Sequence, residues 1–388
     1  QSLVLHAQTE VLKFLAILLI IDFGKQQQKH LLCCPNGVVD LRTAQLIGPP
    51  TPEHFFTQRC PINYNPNVDT QLAIDFFEQA FPTDAYPDAT DIVRFLQQYF
   101  GYCLTLETNL QFCLFIFGRG ANAKSLWMKV LSDVWGQLCY TLPIEALGKA
   151  RGSNNDSLCN ATTTARLATL SESNGAAKFD SGTFNTVVCG EEITLKRMYR
   201  EEENIIPMMK LVFVLNDLPQ FSGEAYHTSR RCAFLPLRKI FYDHNSDRDQ
   251  QLMAEHRERG HPESLIGRRD VNYYENHVKG MEEVFLRFFV IGAGAYYSAG
   301  MIIAIPRTMQ FQAKCEAFDL SCAVQEFVME RLEFDAGGKV LVVTMYNEFL
   351  LMYKDHVNAA SCSDSNFGKL LAEHIGSSGG WRDQVAKT

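Results

Sequence analysis

The sequence lacks any C-x-x-C pair, although cysteine supplies 12 of its 388 residues. Cys33 and Cys34 are adjacent, and the rest stand singly at 60, 103, 113, 139, 159, 189, 232, 315, 322 and 362. Paired-thiol metal ligation has no support, and scattered reduced thiols in an intracellular, non-secreted protein are expected. Long apolar runs are missing too. The longest, Phe14 to Ile21 between Lys13 and Asp22, has eight residues where a bilayer needs about 20, and it lacks a small-residue cleavage site. It reads as a buried helix or strand, and no membrane partner is expected. Positive charge is in deficit: 36 Lys and Arg against 44 Asp and Glu give a net charge of −8. Any polyanion must therefore be met by a local basic patch. No internal repeat is present. An apolar share of 46% is ample for real cores and excludes a disordered or collagen-like chain. The length suggests two or three domains at about 100–200 residues each. The chain opens on Gln1, which suggests a piece of something longer.

Residues 1–67 read as a mixed lead-in with an Asn36-Gly37 turn and a Pro49-Pro50-Thr51-Pro52 interruption. From Thr70 to about Gly101 the apolar spacing is helical. Residues 112–117 are continuously apolar, as a parallel strand covered on both faces should be. A glycine-rich turn follows, then a helix with Trp127, Val130, Leu131 and Val134 on one face. Further strands are expected at Ala165–Leu170, ending at Ser171-Glu172, and at Leu211–Leu215, ending at Asn216. Alternating strands and helices define an α/β domain with its site at the carboxyl edge of the sheet. Residues 243–280 read as a polar, loop-rich excursion, and Met281–Met301 returns to a helical pattern. The tail, from about 310, is expected to hold helices and a short Val340–Val343 strand.

The sharpest feature is Gly118-Arg119-Gly120-Ala121-Asn122-Ala123-Lys124-Ser125, between the buried strand and the amphipathic helix. Phosphate binding needs such a loop. Glycines let backbone N–H groups converge on oxygens, and the helix N-terminus adds its dipole. Lys124 suits the β and γ phosphates of a nucleotide, and Ser125 suits Mg²⁺. Ala123 stands where the strict pattern has glycine. Two other readings compete. Gly118-x-Gly120-x-x-Ala123 also satisfies the alanine form of the dinucleotide fingerprint, but no acidic residue closes a second strand about 20 residues on. A glycine turn beside a surface lysine is the bland alternative.

Downstream lie the other parts that nucleotide hydrolysis requires: a carboxylate, a polar group near the γ-phosphate and arginines. Glu172 follows Arg-Leu-Ala-Thr-Leu-Ser, Asn216 follows Lys-Leu-Val-Phe-Val-Leu, and Arg230-Arg231 come soon after. Each alone has an ordinary surface explanation. Their order makes coincidence hard to sustain.

With these residues in view the chain resembles a superfamily 3 helicase, of the poxvirus-type helicase-primase group shared by large DNA viruses, phages and plasmids. The matching text is FGRGANAKS, RLATLSESN, VVCGEEITLKRMY, KLVFVLNDLP and SRRCAFLPLRKIF, with NGVVDLRT and INYNPN upstream. The resemblance runs from about residue 33 onward. It implies an α/β fold, a P-loop NTPase with an AAA+-like core over 68–308 whose helical lead-in spans 68–105. The helicase-primase lead-in region would occupy 1–67, and a winged-helix-like domain 309–388. In that last domain Ser365 would cap a helix carrying Lys369 and His374.

By the same resemblance residues 118–125 bind ATP, Lys124 and Ser125 are Walker A residues, and Glu172 is the Walker B carboxylate. Ser125 and Glu172 would hold Mg²⁺, and Asn216 would be the sensor. Arg230 or Arg231 would reach a neighbour's ATP in a homo-oligomeric ring, usually hexameric. Lys196, Arg197 and Arg200 would grip single-stranded DNA from a pore hairpin. A primase would lie upstream or act in trans. Asn185 departs from the family's usual lysine, as Ala123 does from glycine. Competing functions are another ring ATPase such as a packaging motor, and a decayed DNA-binding or scaffold relic.

Overall fold

The computed structural model describes residues 28–118, 120–148, 154–171, 181–199, 201–216, 231–258, 260–310, 324, 327–328, 332, 340–353 and 363–377. The apolar run Phe14–Ile21 lies outside them.

The lead-in begins as a three-stranded antiparallel sheet of β1 (Leu31–Cys34), β2 (Gly37–Asp40) and β3 (Gln45–Gly48). The Asn36-Gly37 turn joins the first two. Gly37 has φ 147°, and a Cβ there would lie 2.7 Å from the Gly48 carbonyl, so only glycine fits. Asn36 Nδ2 donates to Tyr64 O at 2.9 Å, and Tyr64 N–H donates back to Asn36 Oδ1 at 2.9 Å. That exchange ties the turn to the chain that follows. The helical stretch from Thr70 is two helices, α1 (Gln71–Glu78) and α2 (Ala89–Leu104), because Pro82 and Pro87 interrupt it.

Next come β4 (Cys113–Phe117), α3 (Lys124–Trp135), β5 (Cys139–Thr141), α4 (Asp156–Thr164), β6 (Leu167–Ser171) and α5 (Ser181–Cys189). The hairpin strands β7 (Ile193–Lys196) and β8 (Glu202–Ile205) precede β9 (Lys210–Leu215), β10 (Cys232–Pro236) and β11 (Ile240–Tyr242). The chain continues through α6 (Asp247–Glu258), β12 (Ile266–Arg268), α7 (Glu282–Ser298) and α8 (Arg307–Gln310). The described tail includes α9 (Val342–Tyr353) and α10 (Asp364–Ser377).

Five strands form one parallel sheet in the order β10-β4-β9-β6-β5. Side chains alternate between its faces. Leu114 and Ile116 of β4 join Val212 and Val214 in a core filled by α1, α2, α3 and α7. Cys113, Phe115 and Phe117 join Phe213 and Phe234 in a second core with α4 and α5. Two covered faces explain why β4 is apolar throughout and β9 is apolar after Lys210. The first layer depends on a close crossing of α2 and α7. A Cβ on Gly292 would sit 1.9 Å from Gln97 O, and one on Gly101 would sit 2.2 Å from Ala293 N. Glycine at both positions lets the two backbones touch.

Three expectations are corrected. Val340–Val343 is no strand: α9 begins at Val342, since the stripe of Tyr346, Phe349 and Leu350 outweighs the local β-branched bias. The excursion 243–280 holds a 12-residue helix, α6, and a strand, β12. The cap of α10 is Ser363, whose Oγ accepts from Asn366 N–H at 3.2 Å, rather than Ser365. The tail has its own small core around Phe327, Phe349 and Phe367.

Candidate functional site

The Gly118–Ser125 loop leaves the carboxyl end of β4, one strand in from the β10 edge of the sheet. Gly118 is obligatory there, because a Cβ would meet Leu237 O at 2.4 Å. The loop is fastened from beneath by the β10–β11 connection. Leu237 N–H donates to Phe117 O at 2.7 Å and Phe241 N–H to Ala121 O at 2.9 Å. Asn122, only 3% exposed, donates through Nδ2 to Leu237 O at 2.8 Å and reaches Lys239 O at 3.4 Å. Ala121 and Ala123 turn the chain in the left-handed region, with φ 56° and 65°. An L-residue there costs about 1 kcal/mol.

Lys124 Nζ donates to Gly118 O and, at 3.1 Å, to Asn122 Oδ1. The lysine is thus folded onto its own loop, and Asn122 both anchors the loop and orients the lysine. Ser125 is exposed in the first turn of α3, which carries no acidic residue and is preceded by Ala123, with no side-chain cap. The helix dipole makes this end attractive to an anion.

Strand register brings the other candidates to defined places. Gly118 N–H donates to Leu215 O at 3.3 Å, and the residue just past that strand, Asn216, lines the cleft beside the loop. Arg231 enters β10 at the opposite end: Cys113 N–H donates to its carbonyl at 2.9 Å. At about 3.3 Å per residue, the length of β10 puts its backbone more than roughly 15 Å from the loop, so Arg231 does not serve its own chain's cleft. Arg119, Glu172, Arg200 and Arg230 lie outside the described residues.

The cleft in front of the loop has a volume of about 1150 Å³. It runs from Gly118–Asn122 across Pro236–Tyr242 to α6, where Arg248, Leu252 and His256 line it. Tyr242 OH and His256 Nδ1 are 3.4 Å apart, and the His256 and His261 rings lie 4.7 Å apart. This wall escaped the sequence reading, although Ser246-x-x-Asp249 signals a helix start: Asp249 N–H donates to Ser246 Oγ at 3.4 Å. The Asn122 anchorage had no sequence signal, because its partners are 115 residues or more away.

The hairpin of β7 and β8 sits apart from the loop. Lys196 pairs directly across from Glu202, and Leu195 from Glu203. Arg197 donates to Asn160 Oδ1 at 2.7 Å and reaches Cys159 O at 3.4 Å, so its guanidinium clamps the hairpin onto α4. Met198 N–H donates to Asp156 Oδ1 at 2.9 Å. Met198 and Tyr199 are exposed at the tip. Asn185 lies within α5.

The fold and site thus define a mixed α/β protein with a central parallel sheet and a glycine-rich loop at its carboxyl edge. The family described as "D5 N terminal like" matches residues 9–101, about a quarter of the chain. The chain is 21% identical over 264 residues to "Putative helicase L207/L206" of Acanthamoeba polyphaga mimivirus, covering 66% of this chain. It is 24% identical over 236 residues to "Putative helicase 184R" of Invertebrate iridescent virus 6, covering 57%. It spans only 26% and 23% of those two proteins. The apo C-terminal region of NrS-1 gives a TM-score of 0.43 at 10% identity, covering 80% of this chain and 66% of that one. The resemblance to viral superfamily 3 helicase-primase proteins therefore stands on two relatives and a family match. Among the described residues no helix is long and apolar enough to cross a membrane.

Proposed function

We propose that this chain carries the ATP-hydrolysing motor of a viral-type DNA helicase, a P-loop NTPase that works as a ring and moves single-stranded DNA. The observation that carries the reading is the glycine-rich loop at the carboxyl edge between β4 and α3, hydrogen-bonded through Asn122 and Ala121 to the β10–β11 connection. On this reading the backbone N–H groups of the loop and of α3 receive the phosphates, and Lys124 leaves Gly118 O and Asn122 Oδ1 to neutralise them. Ser125 and Glu172 would hold Mg²⁺, which when bound offsets charge on the β and γ oxygens. Glu172 would also position the attacking water, and Asn216 would sense the γ-phosphate. Arg231 or Arg230 acts on the ATP of a neighbouring subunit, which agrees with the distance of Arg231 from its own loop. A hexamer is the expected ring.

Lys196, Arg197 and Arg200 would form the DNA-facing hairpin. Since Arg197 is engaged with α4 and Glu201–Glu203 balance the charge, Lys196 and Arg200 would carry most of the backbone attraction. The tail, from 309, would be winged-helix-like and would follow the ATPase core of 68–308, with a primase upstream or in trans.

ATP turnover with Mg²⁺, with and without single-stranded DNA, tests the reading beside Lys124→Ala. DNA-stimulated turnover that falls by at least about a hundredfold in the variant is the expected result. Rings that assemble yet hydrolyse nothing would overturn the motor and leave a binding relic.

A further inference from the structure

We propose that Cys34 and Cys60 form a redox-active dithiol, a modification site that reacts with a peroxide and closes reversibly to a disulfide. The site does not depend on the phosphate-loop reading.

Packing brings two separate parts of the lead-in together here. Cys34 ends β1 and shares the core side of that strand with Leu32, in the same apolar cluster as Cys60. Cys60 N–H donates to Cys33 O at 2.9 Å, which sets its segment against the end of β1. The same segment rests on the end of α3. Cys60 Sγ donates to Val134 O at 3.2 Å, and Gln137 Nε2 donates to Arg59 O at 3.2 Å. A Cβ on Gly136 would lie 2.7 Å from the Pro61 ring, so glycine lets the segment sit this close. Held between strand and helix, the Cys34 thiol hydrogen-bonds to the Cys60 sulfur.

A buried thiol is ordinarily inert, because an apolar surrounding disfavours the thiolate. Cys60 departs from that rule. The hydrogen bond from Cys34 holds it below the usual thiol range against the effect of burial, and the Ile62 backbone and Arg166 help. Arg166 is itself buried and donates to Leu31 O at 3.0 Å, in the strand that carries Cys34. The hydrogen bond and burial push Cys34 the other way, so it keeps its proton. Cys60 is thus the attacking sulfur and Cys34 the resolving one. Their full burial admits a small peroxide and excludes a folded oxidoreductase.

The Cys60 sulfur attacks one peroxide oxygen, the O–O bond breaks, and the thiol proton leaves with the other oxygen as water. The Cys34 sulfur then displaces the hydroxyl of the sulfenic acid. The S–S bond forms, and the Cys34 proton leaves with that hydroxyl as a second water. Two thiols are oxidised and one peroxide is reduced. Oxidation also takes from Val134 O, in the last turn of α3, the S–H that it accepts.

The test exposes the whole folded chain to hydrogen peroxide, blocks remaining thiols under denaturing conditions and maps the peptides by mass spectrometry. A Cys34–Cys60 link, two hydrogens lighter than the separate peptides and reversed by dithiothreitol, is expected. Cys113 and Cys232 are the internal control: they face each other across β4 and β10, but burial and the Cys232 hydrogen bond both push Cys113 up. The Cys34–Cys60 link should form at least about tenfold faster than theirs. In Cys34→Ser the sulfenic acid has no partner, and dimedone should label Cys60. No Cys34–Cys60 link in the folded chain, at an exposure that links the urea-unfolded chain, overturns the site. Equal rates at the two pairs overturn it as well, since general opening would then be the route of access. A link from Cys33 to Cys60 in place of Cys34 overturns the pairing.

Discussion

The two ends of the central sheet use cations in the same way with opposite consequences. At the amino edge Arg166 and Lys210 are neighbours: Lys210 N–H donates to Arg166 O at 2.9 Å, and the side chains are 5% and 4% exposed. Arg166 Nη1 donates to Leu104 O and, at 3.0 Å, to Leu31 O. Lys210 Nζ donates to Thr105 O at 2.5 Å and lies 4.7 Å from the Tyr102 ring centre. Both therefore hold the carboxyl end of α2, where the helix leaves carbonyls unpaired and its dipole is negative. At the carboxyl edge Lys124 also rests on a carbonyl, Gly118 O, but its partners Gly118 and Asn122 line a cleft of about 1150 Å³. The bond type is shared. Enclosure is what separates the two: the cations of the amino edge join the lead-in to the sheet in a closed space, and the lysine of the carboxyl edge bonds groups that border a cleft.

The sharpest way to break this comparison is Arg166→Met. It strips Leu31 O and Leu104 O of a donor in a closed space, at about 1–3 kcal/mol for each group, so a loss of about 3 kcal/mol is expected in chemical denaturation. Lys124→Ala should change stability by less than about 0.5 kcal/mol, because its site is open. Equal losses in the two variants would erase the distinction between the ends.

How much of this was legible in the sequence follows from which forces are local. β4 and α3 were readable because a doubly covered strand is apolar throughout and an amphipathic helix repeats every three to four residues. The loop between them was readable because clustered glycines between an apolar strand and an amphipathic helix mark a turn. β5 was not, being three residues long and partly exposed along its length. The role of Arg166 was hidden as well, since its partners are 62 and 135 residues away. Lys196, Arg197 and Arg200 stood out as a basic run, yet only strand register shows Lys196 facing Glu202, and only packing shows Arg197 tied to Asn160. Sequence thus announced the cations and left their enclosure to the fold.

Lys210 gives the amino edge a measurable pH dependence. Burial pushes its ammonium down to about 7 from an ordinary value of 10.5. Cys103 and Glu107 oppose that fall, while Arg166 and Lys29 add to it. Between those two values the unfolded chain holds a proton that the folded chain has released, so stability rises with pH, and below about 7 the burial penalty is present in full. The slope for one proton is about 1 kcal/mol per pH unit. Cys103 acts in the opposite sense at higher pH, because burial raises its thiol and the unfolded chain ionises first, above about 8.5. The useful window is therefore about pH 7 to 8. Urea denaturation should grow harder across it, and Lys210→Met should flatten the rise.

The smallest effect concerns the loop itself. Ala123 holds φ 65°, where its Cβ crowds the following carbonyl, and it immediately precedes Lys124. Ala123→Gly removes the crowding but lets the unfolded chain wander more, which returns part of the gain. The balance should still favour glycine by about 1 kcal/mol, since alanine at positive φ costs more than the added freedom. In a chain of this length that is a rise of about 2 °C in Tm. A fall in Tm would mean that the loop gains more from the methyl's contacts than it loses to the backbone. ATP turnover of the same variant separates two roles for the residue. An unchanged rate with a higher Tm makes Ala123 a tolerated strain. A faster rate shows that the methyl had crowded the phosphates, which would place a functional cost at the open end of the sheet beside the stable, closed one.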